Sequence, residues 1–331
     1  GGVKSKRWVV ATPDRAAADK LAEALSISRI TASLLINRGV VDPAEGRRFL
    51  RPDLGSLLDP FLFRDMKAAV RRLFDAVRDG EKIGIFGDYD VDGMAGTALL
   101  LDCFALLGAS ARAYIPSRLE EGYGLTSAAM RRMAAEGARV VVTVDNGITA
   151  HAVAEEAAAL GVDLVVTDHH EPQGGLPRAA AVVDPKRSDC AYPNKNLCGT
   201  GLAFKLAWGL SRALSGSDKV RDDLRAFLLD AMGLVALGTV ADLVPLVGEN
   251  RAMVHFGLET LSRSPRAGYA ALREVCRTRG TVDEGAVAFQ WAPRLNAAGR
   301  MAHPQTALRL LSTRDGEEAR RLARECDRLN R

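Results

Sequence analysis

The sequence predicts an α/β protein: a five-stranded, mainly parallel sheet flanked by helices, followed by a helical region. Three observations lead there. Short β-type stretches alternate with helical periods between residues 82 and 184, the rhythm of a parallel sheet with right-handed crossovers. Ala, Leu, Val and Gly are abundant while aromatics make up only 5%, which favours helices packed on such a sheet. After Pro193 the strand pattern stops and only helical periodicity continues. In order, residues 14–25 and 28–38 read as short helices, with Pro13-Asp14 before the first and Gly39 closing the second. A third, 43–50, is entered through Asp42-Pro43. A loop over 52–66 leads to an amphipathic helix over 66–78, stopped by Gly80. Strands follow at 82–87, 110–115, 139–144, 163–167 and 180–184, with helices at 95–107, 126–136 and 149–160 between them. The later helices are expected near 201–214, 219–237, 250–263, 266–277, 304–312 and 315–329.

At 331 residues and 47% hydrophobic content, the chain can bury a large core. No apolar run reaches membrane-spanning length and no secretory pattern opens the chain. Gly1-Gly2 in place of an initiator Met leads us to expect that the natural N-terminus lies further upstream. Five scattered cysteines complete no zinc pattern, which suits free thiols in a reducing cytoplasm. A net charge of +4 is too modest to imply nucleic-acid binding by itself. The mixed charges of 309–331 read as a solvated helix with i,i+4 pairs rather than a phosphate track.

The chemistry sits where apolar strands end. Asp88, Asp90 and Asp92 follow the first strand, Asp145 follows Val140–Val144, and Asp168-His169-His170 follow Leu164–Thr167. Adjacent parallel strands would bring these tips into one crevice. Carboxylates gathered there repel unless divalent cations hold them, and an oxygen-rich set with imidazole and no thiolate suits manganese or magnesium. The pattern therefore reads as a two-metal hydrolase. The period-two spacing of Asp88, Asp90 and Asp92 would point all three to one face of a continuing strand. A calcium loop is disfavoured, because its twelfth position is Leu99 and not Glu. Two consecutive histidines cannot share one direction in an extended segment, so one is expected to ligate metal and the other to face substrate. Asp242, at the end of an apolar helix, is costly unless paired. Arg118, after the second strand, is read as either a phosphate ligand or a surface loop residue. Gly199-Thr200-Gly201 is read as a helix cap or an anion site, with capping favoured. Arg294, Asn296 and Arg300 lie in what reads as a small-residue turn suited to a phosphate clamp. His151, His255 and His303 are isolated and expected to be structural.

The segments GDYDVDG, VDNG, TDHHEP and GTVADLVP closely resemble the four motifs of the DHH phosphoesterases. More narrowly, GDYDVDGMAG, YIPSRLEEGYGL, DHHEP, CGTGLAFKL and APRLNAAGRM are similar to the branch of bacterial 5′→3′ exonucleases specific for single-stranded DNA. The resemblance runs from about residue 35 to the end. It implies two manganese or magnesium ions that activate water for phosphodiester hydrolysis. Asp90 and Asp145, with Asp88 near, would hold one ion. Asp92, Asp145, His169 and Asp242 would hold the other, with Asp145 as the bridge. His170 would face the scissile phosphate and Asp168 would support from behind, while Arg300, with Arg294 and Asn296, would bind substrate phosphate. Phe86 stands where many members of the family carry a His. The resemblance also implies domains: a helical lead-in over 1–65, a DHH catalytic domain over 66–313, and at 314–331 the start of a connecting helix to a missing DHHA1-type domain. The expected setting is a cytoplasmic monomer acting on single-stranded DNA in repair and recombination, alongside a helicase and a single-strand-binding protein, with no membrane contact. The alternatives are a DHH phosphodiesterase for short oligoribonucleotides or cyclic dinucleotides, and a non-catalytic scaffold. The scaffold is disfavoured because every ligand position is filled.

Overall fold

Side-chain caps begin the three helices of the first unit. Asp14, Ser28 and Asp42 accept hydrogen bonds from the first turns of α1 (Arg15–Leu25), α2 (Arg29–Ile36) and α3 (Pro43–Leu50), and Pro43 adds its fixed φ at the start of α3. Leu21, Ala32, Leu35 and Val40 form the small core of this unit. The computed structural model describes residues 14–117, 124–301 and 304–331, together with Val9, Ala11 and Gly122. Compactness divides the chain into residues 1–57 and 58–331, a boundary somewhat earlier than the 65/66 read from the sequence.

The second unit opens with α4 (Met66–Arg78), whose stripe of Met66, Ala69, Val70, Leu73 and Ala76 is buried. The strands are β1 (Lys82–Gly87), β2 (Ala111–Tyr114), β3 (Ala138–Val144), β4 (Asp163–Thr167) and β5 (Ala181–Val183). They form one sheet in the order β2-β1-β3-β4-β5, and every pairing is parallel. The order reverses at β1, so the tips of β1, β3 and β4 border the crevice where such sheets bind ligands. Between the strands run α5 (Val91–Leu106), α6 (Ser127–Ala135) and α7 (His151–Ala159). Helices α6 and α7 cover one face of the sheet, packing on Phe86, Val141 and Val166. On the other side α4, α5 and α8 (Gly199–Ser215) lie against the strands.

The remaining helices are α9 (Asp222–Ala241), α10 (Gly248–Arg263), α11 (Ala267–Val275), α12 (Glu284–Ala286), α13 (Ala292–Met301), α14 (Gln305–Ser312) and α15 (Gly316–Asn330). Against the expectation that no segment reaches membrane-spanning length, helix α9 is long and apolar enough to cross a membrane; it is mostly buried and packs on α5, α8 and α10 as a core helix. Two further expectations fail. The first strand stops at Gly87 and α5 starts at Val91, not at 95, so Asp92 lies in a helical first turn rather than on a strand face. Residues 292–301 form a helix and not a turn. A π-helical stretch, Val287–Trp291, precedes it, and Ala292 N–H bonds back to the Val287 carbonyl. That wider turn accommodates Pro293, which has no N–H to give to a normal α-helical ladder.

Candidate metal centre

Each acidic tip is held by its own backbone device. Asp90 is the N-cap of α5, its Oδ1 accepting from Gly93 N–H at 3.1 Å, and Asp88 stands just beyond β1. Asp92 is fixed from a distant part of the chain: the first N–H groups of α8, from Gly199 and Thr200, donate to its two carboxylate oxygens at 2.6 and 2.8 Å. Gly199-Thr200 thus does hold an anion, and the anion is the protein's own carboxylate. Capping of α8 falls to Cys198, whose Sγ accepts from Gly201 N–H. Helix α9 comes equally near, since a Cβ on Gly238 would crowd both Asp92 and Thr200. Asp145 adopts the left-handed conformation, φ 65, an uncommon region for a residue with a side chain. It is anchored by its N–H to the Thr167 carbonyl at 3.1 Å. Next to it Asn146 Nδ2 donates to the carbonyls of Val144 and Phe86, tying the tips of β3 and β1 together.

Asp168 organises the β4 tip. Its Oδ2 accepts from Ile148 N–H at 2.9 Å, and its Oδ1 accepts from the backbone of His169 and His170 and from His170 Nδ1 at 2.7 Å. The two imidazoles diverge, with their planes 57° apart. His169 turns inward: its Nε2 lies 3.0 Å from Asp145 Oδ1, 3.8 Å from Asp242 Oδ2 and 3.9 Å from Asp92 Oδ2. Asp242 arrives as the C-cap of α9.

Among the described residues, three overlapping groups of potential ligand atoms result, each within 4.8 Å: Asp88, Asp90 and Asp145; Asp92, His169 and Asp242; and Asp145, His169 and His170. The electrostatics reflect the crowding. Burial, then Asp90, pushes Asp88 up to about 7, and burial, then Asp92 and Asp90, does the same to Asp242. Burial followed by Asp92 raises Asp90, and burial with the surrounding aspartates drives Asp145 well above the carboxylate range. Burial depresses His169 toward neutral imidazole, the form that ligates metal. His170 moves the other way, raised by its hydrogen bond to Asp168. For Asp168 burial acts upward, but that same bond and charge bring it below its usual value.

The residues present fit a pair of divalent cations. Asp88 Oδ1 is buried without a hydrogen-bond partner, a costly state unless a cation faces it. The donor set is carboxylate and imidazole, which suits manganese and magnesium. Cys198 lies close by, but burial and then Asp92 keep its thiol protonated.

Helix α13 closes the crevice over the first motif. Asn296 Oδ1 accepts from Val91 N–H at 3.0 Å, and a Cβ on Gly299 would run into the Tyr89 carbonyl oxygen. Asn296 and Arg300 line a cavity of about 540 Å³ with Leu243 and Phe289. Arg294 is not brought to them. It donates to Asp327 at 2.9 Å and to the Gln290 carbonyl at 2.8 Å, and faces a different cavity with Arg320 and Arg324. Arg118 and His303 lie outside the described residues. Sequence reasoning passed over Asp184 and Phe289. Asp184 carries the same signal as the other sites, an apolar strand ending in Asp. Phe289 carries no local signal, because only the π-helical stretch decides which way it faces.

Residues 82–239 match the DHH family, N-terminal domain. The chain is 42% identical over 329 residues to the single-stranded-DNA-specific exonuclease RecJ of Bacillus subtilis (strain 168), covering 98% of this chain and 40% of that protein. It is 41% identical over 270 residues to the RecJ of Escherichia coli (strain K12), covering 80% and 47%. The chain thus spans about half the length, or less, of these relatives. Among solved structures, exonuclease RecJ bound to manganese superposes with TM-score 0.74 at 38% identity, covering 84% of this chain and 67% of that one. RecJ of Thermus thermophilus in complex with Mn2+ gives TM-score 0.81 at 34% identity, covering 97% and 44%. The same protein has also been solved with Mg2+, at TM-score 0.72 and 31% identity, covering 97% and 42%.

Proposed function

The chain belongs to the DHH family, in its RecJ branch, and on that premise we propose that it is the catalytic part of a metal-dependent 5′→3′ exonuclease for single-stranded DNA, acting in repair and recombination. The observation that carries the reading is the convergence of four carboxylates, Asp88, Asp90, Asp92 and Asp242, and of His169 around Asp145. Asp88, Asp90 and Asp145 would hold one ion, and Asp92, Asp145, His169 and Asp242 the other. Two such cations, when bound, supply an activated water and offset the charge on the phosphate. The chain's own groups do the rest. Asp145 links the two ligand groups, the α8 N-terminus fixes Asp92, and Asp168 aims His170 while favouring its protonated form. A protonated His170 is an imidazolium suited to a phosphate oxygen or to the leaving oxygen.

Asn296 and Arg300 are assigned to substrate phosphate, and Arg118 stays a candidate for it from its position after the second strand. Arg294, engaged with Asp327, is left out of it. The cavity beside them favours a single strand over a compact dinucleotide. Phe289 is 84% exposed and Leu243 is 83% exposed there, and an aromatic next to a guanidinium suits stacked bases and a phosphate backbone. A helicase and a single-strand-binding protein are the partners we infer for a monomeric cytoplasmic enzyme. The test is digestion of 5′- and 3′-labelled single-stranded DNA by the full-length protein with manganese. Early release of the 5′ label as mononucleotide is expected. Inertness toward DNA, or faster cleavage of oligoribonucleotides or cyclic dinucleotides, overturns the proposal.

A further inference from the structure

The fourth strand tip of the crevice, at β5, presents a cation that the metal centre does not use. Thr167 lies opposite Val183, so Asp184 stands level with Asp168. Asp184 Oδ1 accepts the Lys186 N–H at 2.6 Å and closes a tight turn around Pro185. The loop beyond is pinned from both sides. Arg187, only 6% exposed, donates to the Val182 carbonyl at 2.5 Å and to Asp65 at 2.6 Å, and it pairs with Asp189. Lys195 donates to the carbonyls of Pro185 and Cys190, each at 2.7 Å. The backbone of Lys186 is therefore held firmly, while its side chain is not. Its ammonium lies 3.6 Å from Glu171, beyond hydrogen-bond length, and Glu171 is itself largely exposed. Glu171 directly follows His170, and Asp184, two residues before Lys186, stands level with Asp168, so the Lys186 ammonium lies at the rim of the metal centre.

The charge balance gives this placement a purpose. Five carboxylates against two divalent cations leave the filled centre with one net negative charge. A phosphodiester brings another, and more develops on its oxygens during hydrolysis. Cations at the rim are what such a site needs. Resting on the reading of the crevice as a phosphodiesterase centre, we propose that Lys186 binds a phosphate oxygen of the DNA strand on the β4–β5 side of the metals, exchanging its loose contact with Glu171 for that phosphate.

The test uses the full-length protein with saturating manganese and a labelled single-stranded oligonucleotide over a salt series, comparing wild type, Lys186→Met and Lys186→Arg, with manganese binding followed by calorimetry. Lys186→Met should raise KM or lower kcat/KM about 10- to 100-fold, the loss of one charge-assisted contact. It should also flatten the log–log salt dependence by about 0.7, the loss of one single-strand phosphate contact. Lys186→Arg should restore most of both, and manganese affinity should be unchanged or tighter in Lys186→Met, since a repelling charge is gone. A wild-type rate and salt slope in Lys186→Met, or weakened manganese binding, overturns the assignment and leaves the enzyme reading standing. A wild-type protein that shows no metal-dependent hydrolysis overturns that reading and takes the Lys186 assignment with it.

Discussion

Asp145 is the residue on which the centre turns, because it belongs to both the Asp88/Asp90 group and the histidine group. Asp145→Ala should abolish hydrolysis. Asp168→Asn, which weakens the support of His170 and of the β4 tip without removing a ligand, should cost the roughly 10- to 100-fold typical of such changes. Parallel initial rates on folded protein decide this, and near-normal turnover in Asp145→Ala would contradict the assignment. The raised carboxylates also make a stability statement. Asp88 and Asp242 titrate near 7 in the folded chain against 3.8 for the free group. The folded state therefore holds more protons than the unfolded state between those values. Their contribution is fully present below about pH 4 and is lost as pH rises through about 7. In EDTA the melting temperature should fall between pH 5 and 8, and manganese should raise it more at pH 8 than at pH 5. A melting temperature that climbs with pH in EDTA would refute this. Asp184, buried and likewise pushed up to about 7, adds to the same slope. Asp184→Asn should flatten it and raise the melting temperature of the metal-free protein at pH 8.

At the scale of the element, the π-helix and α13 act as one device with two sides. Gly299 lets α13 seat directly on the Tyr89 carbonyl, so Gly299→Ala should force the first motif aside. Overpacking of this kind costs about 1–3 kcal/mol, and the melting temperature and activity should fall together. Phe289 faces outward on the same helical run, so Phe289→Ala should change stability by no more than about 0.5 kcal/mol. Its KM for single-stranded DNA should rise instead, since one stacked base is worth about 1–3 kcal/mol. Thermal melts beside Michaelis curves separate these two signatures. A Phe289→Ala protein that melts early while keeping its KM would make Phe289 a packing residue.

At the scale of the whole molecule, grip and chemistry separate. The net charge is +4, and the chain spans about half the length of its curated relatives. Residues 1–331 alone are expected to cleave slowly, with strong salt sensitivity and little processivity, because affinity for single strands rests on an extended basic groove and stacking aromatics. A full-length RecJ on the same labelled oligonucleotide across a salt series is the comparison. Equal affinity and processivity would place the whole grip within these residues.

Most of the architecture was legible locally. A strand buried on both faces must be an unbroken apolar run, and the polar residue that ends it must lie at the sheet's edge. Val140–Val144 therefore announced Asp145, and Leu164–Thr167 announced Asp168 and the histidines; Val182-Val183 carried the same signal for Asp184, which the sequence reading passed over. What the sequence could not show depends on contacts between residues far apart in the chain. The α8 N–H groups that fix Asp92 lie more than a hundred residues from it. The helix at 292–301 looked like a turn because Pro293, Asn296 and Gly299 have weak helical preference by themselves. A preceding π-helical stretch and the surface of the first motif, against which only a glycine fits, make that segment helical. The same packing turns Arg294 toward Asp327 and leaves Asn296, Arg300 and Phe289 beside the crevice. Periodicity thus determined the sheet, its strand tips and the chemistry gathered there. The tertiary structure alone decided which cations face that chemistry, because the direction of a side chain on a helix is set by what the helix packs against.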